Sequence, residues 1–444
     1  MLQNRSETGL LLLGDVILLV VSLWLALFVR SFEVPTFPYF TQHFKPFLLI
    51  YGVSLLIFFI AGLYERRTRL IKRILGVRIF GAQATNTVLA AVLFFIVPFT
   101  IAPKTVLVLY LLISVILIST WRFFVAPFLS IVPYVGAVLV GSGKEMEHVF
   151  ALVANQPKYY VHFVRYINSD ELVAGSLATE LHALRHEGVE LVIIDSRDER
   201  VRAEMPSLYD AMVGGMRFVE FETFYEDLFD RVPLTHLNQS WLLEHMPRSS
   251  FLYHLAKRVI DISGALVGIV IAAPFVFVSA IVLYLTGGQP FIFHERVGKH
   301  GRTFKIIKLR SMLLNDHGDP DLQKKNRVTR FGRFLRKTRI DEFPQLINIL
   351  RGDISFIGPR PELPAIAEIY QKEIPYYDVR HVVQPGLSGW AQIYDYDAPR
   401  GGADVERTSR KLSYDLYYIK HRSFGLDMAI ALKTLRALAS FSGV

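Results

Sequence analysis

Residues 259–285 read VIDISGALVGIVIAAPFVFVSAIVLYL. A bilayer crossing takes roughly 20 apolar residues, so the stretch is long enough to span. Two features argue against a simple crossing. Pro274 stands in its middle, after Ala272 and Ala273, and a central proline kinks or breaks a helix. Both flanks are basic, with Lys257 and Arg258 before and Arg296, Lys299, Arg302 and Lys305 after. A straight span would put one cationic flank outside. A re-entrant helix–break–helix over 252–286, with Pro274 at its turn, returns both flanks to the cytoplasmic face and satisfies the charge rule. The re-entrant form is the expectation, and the straight fifth span its alternative.

Upstream lie four further apolar stretches, about Leu10–Val29, Phe47–Leu63, Ala82–Phe99 and Thr105–Trp121, each near spanning length. The second connection carries Arg66, Arg67, Arg69, Lys72, Arg73 and Arg78; the first has only Arg30 and Lys45, and the third only Lys104. The positive-inside rule therefore puts the second connection, both termini and everything after Trp121 in the cytoplasm. Residues 1–130 read as a four-helix transmembrane domain. Its first helix shows no convincing cleavage site and reads as a retained anchor. Asp15 lies inside that helix, where an acid is either functional or a packing contact.

Composition agrees. The chain of 444 residues is 52% hydrophobic with a mean hydropathy of +0.34, too apolar for a wholly soluble protein. Residues 251–444 hold 28 Lys and Arg against 18 Asp and Glu, while residues 1–250 hold 21 against 22, so the basic excess belongs to the C-terminal domain. Anionic lipid and phosphorylated substrates explain that excess without nucleic acid. The absence of cysteine excludes disulfides and thiol catalysis.

Between the membrane segments, 134–250, the pattern alternates. Val135–Val140, Val161–Ile167, Leu191–Asp195 and Met216–Glu220 read as strands, with helices at Lys144–Ala154, Leu177–Arg185 and Asp198–Met212. This βαβ series implies a small parallel sheet, a Rossmann-like module. Gly141-Ser142-Gly143 begins a dinucleotide-binding turn, but Met146 stands where the third glycine belongs. The module therefore reads as binding no dinucleotide, with regulation or a homodimer contact as its alternative roles. Phe221–Arg248 is an acidic, aromatic connector with no legible role.

The chemistry concentrates after residue 300. Arg336-Lys337-Thr338-Arg339-Ile340-Asp341-Glu342-Phe343-Pro344 sets two adjacent carboxylates among cations. A carboxylate in a cationic field stays ionised at neutral pH and serves as nucleophile or metal ligand. Adjacent helical side chains do not share a face, so Asp341 and Glu342 have separate tasks, unlike an opposed glycosidase pair. Pro344 suits a first helical turn and puts both acids at a helix N-terminus, where mere capping is the bland alternative. Lys308 and Arg310 share one strand face. Pro359 and Pro361 restrict the backbone around Arg360, and arginine binds phosphate bidentately. Surface ion pairing is the plain alternative for each of these cations. Arg333, Lys337 and Arg339 read as a solvated or lipid-facing surface. Gly386, Gly389 and Trp390 form a tight turn, its tryptophan assigned equally to core or membrane interface.

The set Lys257–Asp261, Glu295–Gly298, Lys308–Met312, Arg336–Leu346, Pro359-Arg360-Pro361 and Gln384–Trp390, in this order and spacing, resembles the catalytic domain of the bacterial sugar transferases. These are monotopic phosphoglycosyl transferases. The likeness runs from about Phe251 to Val444, and the whole chain resembles the family's large form. It implies an α/β catalytic domain, 251–444, on the re-entrant hairpin. It implies transfer of a hexose phosphate from a UDP-sugar to undecaprenyl phosphate at the bacterial inner membrane, starting exopolysaccharide, capsule or O-antigen. Asp341 would form a covalent phospho-sugar intermediate and release UMP, and Glu342 would hold Mg²⁺ on the diphosphate. Arg336 matches a family position and would be a further phosphate ligand. Asp415, Tyr417 and Tyr418 resemble a C-terminal family pattern, whereas Ala273 replaces the serine common before the hairpin proline. A non-catalytic relative would have no need of the intact Asp-Glu pair. A Rossmann oxidoreductase would show the third glycine and a Tyr-x-x-x-Lys pair, and 134–250 has neither.

Overall fold

The computed structural model describes residues 2–64, 79–83, 85–86, 89–90, 93, 104–125, 135–154, 161–173, 175–246, 250–286, 288–312, 327–395 and 404–439. The chain divides into two compact units: Met1–Ala137 with Phe150–Arg165 and Glu187–Glu190, and Val138–Val149 with Tyr166–His186 and Leu191–Val444.

In the first unit, α1 (Leu2–Ser31), α2 (Phe37–Ile60) and α3 (Lys104–Thr120) with its continuation to Val125 are long and apolar enough to cross a membrane. Leu19, Leu23, Phe47, Phe58 and Tyr110 are buried together, while Leu13, Leu48, Leu112 and Ile116 remain exposed. Apolar inside and out is the pattern lipid demands, since helices there associate by packing and polar contacts. Asp15 supplies such a contact. It is fully buried, receives Arg122 Nε at 3.2 Å and the Tyr64 hydroxyl at 2.8 Å, and Arg122 also donates to Leu63 O at 2.8 Å. Most of the expected third helix, Ala82–Phe99, and the whole basic run Arg66–Arg78 lie outside the described residues.

The alternating segment forms β1 (Val135–Gly141), α4 (Lys144–Ala154), β2 (Val161–Asn168), α5 (Ser176–His186), β3 (Val189–Ile194), α6 (Glu199–Val213) and β4 (Arg217–Glu220). The sheet order is β2-β1-β3-β4, with β3 and β4 parallel from Leu191↔Arg217 to Ile194↔Glu220. Short, largely continuous apolar runs, such as Ala137–Val140, separated by helical spacers mark these elements.

In the second unit the connector forms α7 (Phe221–Phe229) and α8 (Gln239–His245). It is followed by α9 (Phe251–Leu285), β5 (Phe291–Val297), β6 (Thr303–Leu309), α10 (Arg330–Thr338), α11 (Gln345–Arg351), β7 (Ser355–Ile357), α12 (Pro364–Glu373), β8 (Gly386–Ser388), α13 (Trp390–Tyr394), α14 (Val405–Lys420) and α15 (Phe424–Ala439). The connector is built into the catalytic core. Val232 and Trp241 are buried with Tyr370, Tyr377, Leu412 and Leu416. Lys420 of α14 bridges Glu222 at 2.7 Å and Glu226 at 2.8 Å, and Val232 N donates to Ser413 O at 3.1 Å. Trp390, left between core and interface by the sequence, is in this core and donates Nε1 to Asp230 O at 2.8 Å.

Helix α9 runs unbroken through Pro274, where the sequence reading expected two helices about a break. Proline removes a single bond of the ladder, to the carbonyl four residues back, and the apolar helix formers on either side carry the helix across it. Its inner face is small: Ala265 and Ala272 pack with Leu346, Ile349 and Ile354, and Gly268 lies against Leu346. Its outer face exposes Val259, Leu266, Val267, Val270, Ile271, Phe275, Val278 and Ile281. Both ends are tied to one domain. Arg258 donates to Ile349 O and Leu350 O, each at 2.7 Å, capping α11. At the other end Leu283 is buried with Leu309 and Leu335, and its carbonyl accepts from Arg310 at 3.0 Å.

Candidate active site

Two close approaches assemble the site. Thr329 caps α10, accepting from Gly332 N at 2.8 Å. A Cβ on Gly332 would lie 1.9 Å from Ser311 O, so glycine is what lets α10 lie against the end of β6. There Arg336 Nε donates to Ser311 Oγ at 2.9 Å. Elsewhere, a Cβ on Gly386 would lie 2.1 Å from Gly358 N, and one on Gly389 would lie 2.4 Å from Gly358 O. The glycines of the last motif serve to seat the Pro359-Arg360-Pro361 loop beside β8.

Helix α10 ends at Arg339, whose φ of 59° is left-handed, a costly conformation for a non-glycine residue. That reversal feeds a short 3-10 turn, Ile340–Glu342, and Pro344 caps α11 just beyond. Both acids thus stand at a helix entry.

The two carboxyls differ. Glu342 Oε1 lies 3.2 Å from Lys308 Nζ, 3.8 Å from Arg339 and 3.9 Å from Arg360. Burial pushes its pKa up, but Lys308, Arg360 and Arg339 outweigh burial and hold it near 2. Asp341 is buried, and its Oδ1 has no hydrogen-bond partner among the described residues. Burial and then the Glu342 charge raise it to about 6 against Lys308, Arg336 and Arg339. The cationic field expected to keep both acids ionised therefore belongs to Glu342. Asp341 is a desolvated carboxylate, about nine-tenths ionised at pH 7.

The other residues expected from the sequence are spread differently. Lys308, Arg336 and Arg360 surround the acids. Arg310 instead reaches α9 through the Leu283 carbonyl and lies beside Gly288. Arg339, read as surface, borders Glu342. Sequence reasoning also passed over Arg380, which is buried and holds the arginine loop from behind. Its Nη2 donates to Arg360 O at 3.0 Å and lies 2.8 Å from Asp415, and Nη1 donates to the Tyr377 hydroxyl at 2.8 Å. Burial, opposed by Arg380, raises Asp415 to about 6. No local pattern marks Arg380, since Arg360 and Asp415 lie 20 and 35 positions away.

Residues 252–440 match the family model for bacterial sugar transferase. A UDP-glucose:undecaprenyl-phosphate glucose-1-phosphate transferase of Caulobacter vibrioides is 39% identical over 190 residues, 41% of this chain and 70% of that protein. The chain belongs to the bacterial sugar transferase family. Two other family members carry different sugars in their names. A UDP-N-acetylgalactosamine-undecaprenyl-phosphate N-acetylgalactosaminephosphotransferase of Aeromonas hydrophila is 38% identical over 269 residues, 60% of this chain and 62% of its own. An undecaprenyl-phosphate galactose phosphotransferase of Salmonella typhimurium is 32% identical over 244 residues, 48% of each chain. This chain spans less than two thirds of those two relatives. Residues 252–444 are under 60% of the chain, so the Aeromonas likeness extends ahead of the matched family segment.

A divalent metal fits this family site in one way. Among the described residues no three His, Asp or Glu side chains converge. Magnesium, however, commonly takes one or two carboxylates and completes its shell with substrate phosphates and water. Glu342, ionised throughout the working pH range, is a suitable hard oxygen donor. With three cations already near it, a dication joins only together with a diphosphate's negative charge.

A reaction that uses the ionised Asp341 carboxyl would follow its titration. Release of the first product should fall about tenfold between pH 7 and pH 5, as the ionised fraction drops from roughly nine-tenths to one-tenth. It should change little from pH 7 to pH 8. A rate flat down to pH 5 would remove Asp341 as the titrating group.

Proposed function

We propose that the protein transfers a hexose phosphate from a UDP-sugar to undecaprenyl phosphate through a covalent intermediate on Asp341. The observation that carries this reading is the pairing of an unsatisfied, buried Asp341 oxygen with an adjacent carboxylate locked among Lys308, Arg339 and Arg360. The related transferases support the donor and acceptor classes. Asp341 attacks the β-phosphorus, and the electron pair of the breaking P–O bond leaves on the α-phosphate oxygen as UMP. The acceptor phosphate then attacks the same phosphorus and frees the carboxylate. Lys308, Arg336 and Arg360 neutralise the phosphates in both steps. Magnesium bound by Glu342 with the diphosphate would add charge neutralisation. Full-length protein should release UMP from a UDP-sugar only in the presence of Mg²⁺, and a panel of UDP-sugars identifies the sugar; release from none of them would refute the reading.

The catalytic domain is proposed to face the cytoplasm at the bacterial inner membrane, where UDP-sugars are. A helix of 35 residues, about 50 Å long, exceeds the roughly 30 Å hydrocarbon layer, yet α9 is engaged by one domain from Arg258 to Leu283. That engagement supports a membrane element that enters and returns, bent at Pro274. Single cysteines at Lys257 and Lys305 should both resist an impermeant thiol reagent in intact cells and both react in inverted vesicles. Opposite labelling would establish a crossing.

A further inference from the structure

Strand register puts a further cation at the site. In the β5–β6 hairpin, Ile292 pairs with Lys308 and Arg296 with Phe304. Cross-strand partners share a face and alternate residues return to it, so Arg296 and Lys308 project from the same side of the hairpin. Val297 N donates to Glu362 O at 2.9 Å, which joins the Arg296 end of β5 to the Pro359–Glu362 loop. The Arg296 side chain is half-buried and, among the described residues, makes no hydrogen bond or ion pair. Its neighbours all have partners: Lys308 has Glu342, Arg336 has Ser311, Arg360 has Glu342, and Glu362 has Arg380 at 3.8 Å. A desolvated guanidinium without a hydrogen-bond partner is costly, and an anion relieves that cost.

The two ends of the cluster differ in surroundings. The Arg296 end of β5 is joined through Glu362 to the loop whose Arg360 reaches Glu342, whereas Arg336 lies on α10, which leads directly into Asp341. Arg296 is therefore tied to the Glu342 side of the acid pair. In an in-line displacement the leaving group departs opposite the nucleophile, and negative charge grows on its oxygen as the P–O bond breaks. We propose that Arg296 binds the phosphate of the leaving nucleoside monophosphate. This assignment rests on the phosphoglycosyl transfer reading, and it divides the cations by role: Arg336 beside the nucleophile, Arg296 beside the leaving group.

The test uses full-length protein in phospholipid vesicles. Losing a charge-assisted phosphate contact should raise the UMP inhibition constant of Arg296→Gln by about ten- to a hundredfold. The KM for undecaprenyl phosphate should stay within about twofold. Arg296→Lys, which keeps the charge but loses the planar fork, should fall between. An unchanged UMP constant in both variants would overturn the assignment, as would a rise in the acceptor KM in place of it. Calorimetric binding of UMP to wild type and Arg296→Gln separates this claim from the reading beneath it. If wild type binds UMP and the variant binds it at least tenfold more weakly, Arg296 is the phosphate contact even where no UDP-sugar turns over. Wild type failing to bind UMP would overturn it.

Discussion

Asp341→Asn should lower turnover by at least about a thousandfold, because an amide cannot serve as the phosphorus nucleophile. The same substitution should not destabilise the protein at neutral pH. The Asp341 carboxyl is raised from 3.8 to about 6 on folding, so the folded state binds the proton more tightly. Its stabilising contribution is complete below about pH 4 and is lost as pH rises through 6. At pH 7 and above, the buried charge costs the wild type on the order of 2–3 kcal/mol at 1.36 kcal/mol per unit. An uncharged asparagine removes that cost, less whatever its own buried amide requires. Inactivity together with equal or higher thermal stability at pH 7.5 is the expected pair of results. Activity within tenfold of wild type would take the nucleophile from Asp341, and a sharply lower melting temperature would make the residue structural.

Glu342→Gln should also be severe, with activity reduced by about a hundredfold or more. Its carboxylate balances Lys308, Arg339 and Arg360, and removing it leaves adjoining cations crowded without their counter-charge. The stability effect has the opposite pH sense to that of Asp341. Glu342 is depressed to about 2, so its contribution is present above about pH 4.5 and is lost as pH falls toward 2. Glu342→Gln should therefore be less stable than wild type at pH 7, and the gap should close in acid. Raising Mg²⁺ should recover part of the activity if the carboxylate is its ligand. A variant with wild-type activity and wild-type Mg²⁺ dependence would deny Glu342 both roles.

Much of this was legible in the chain because it is encoded locally. The βαβ alternation of residues 135–220 appeared where apolar periodicity put it, within a residue or two at most boundaries. Asp341, Glu342 and Pro344 stand at a helix entry because those residue types favour one. What remained hidden depends on distant partners. The connector gave no signal of its role, since Val232 and Trp241 are completed by side chains more than 50 positions away. Arg339 looked like one more surface cation until its left-handed backbone turned it toward Glu342. Arg310 and Lys308 are separated by one residue, yet the strand ends between them and Arg310 turns to α9. Gly386 and Gly389 were legible as a tight turn, but not that both make room for the backbone of Gly358.

The covalent intermediate can be weighed directly. Intact protein is mixed with Mg²⁺ and its UDP-sugar in the absence of undecaprenyl phosphate, and both UMP and protein mass are measured. The expected result is up to one UMP per chain, matched by a gain of one sugar phosphate that disappears when the acceptor is added and is absent in Asp341→Asn. UMP released only once the acceptor is present, with the protein mass unchanged throughout, would contradict a two-step transfer on Asp341.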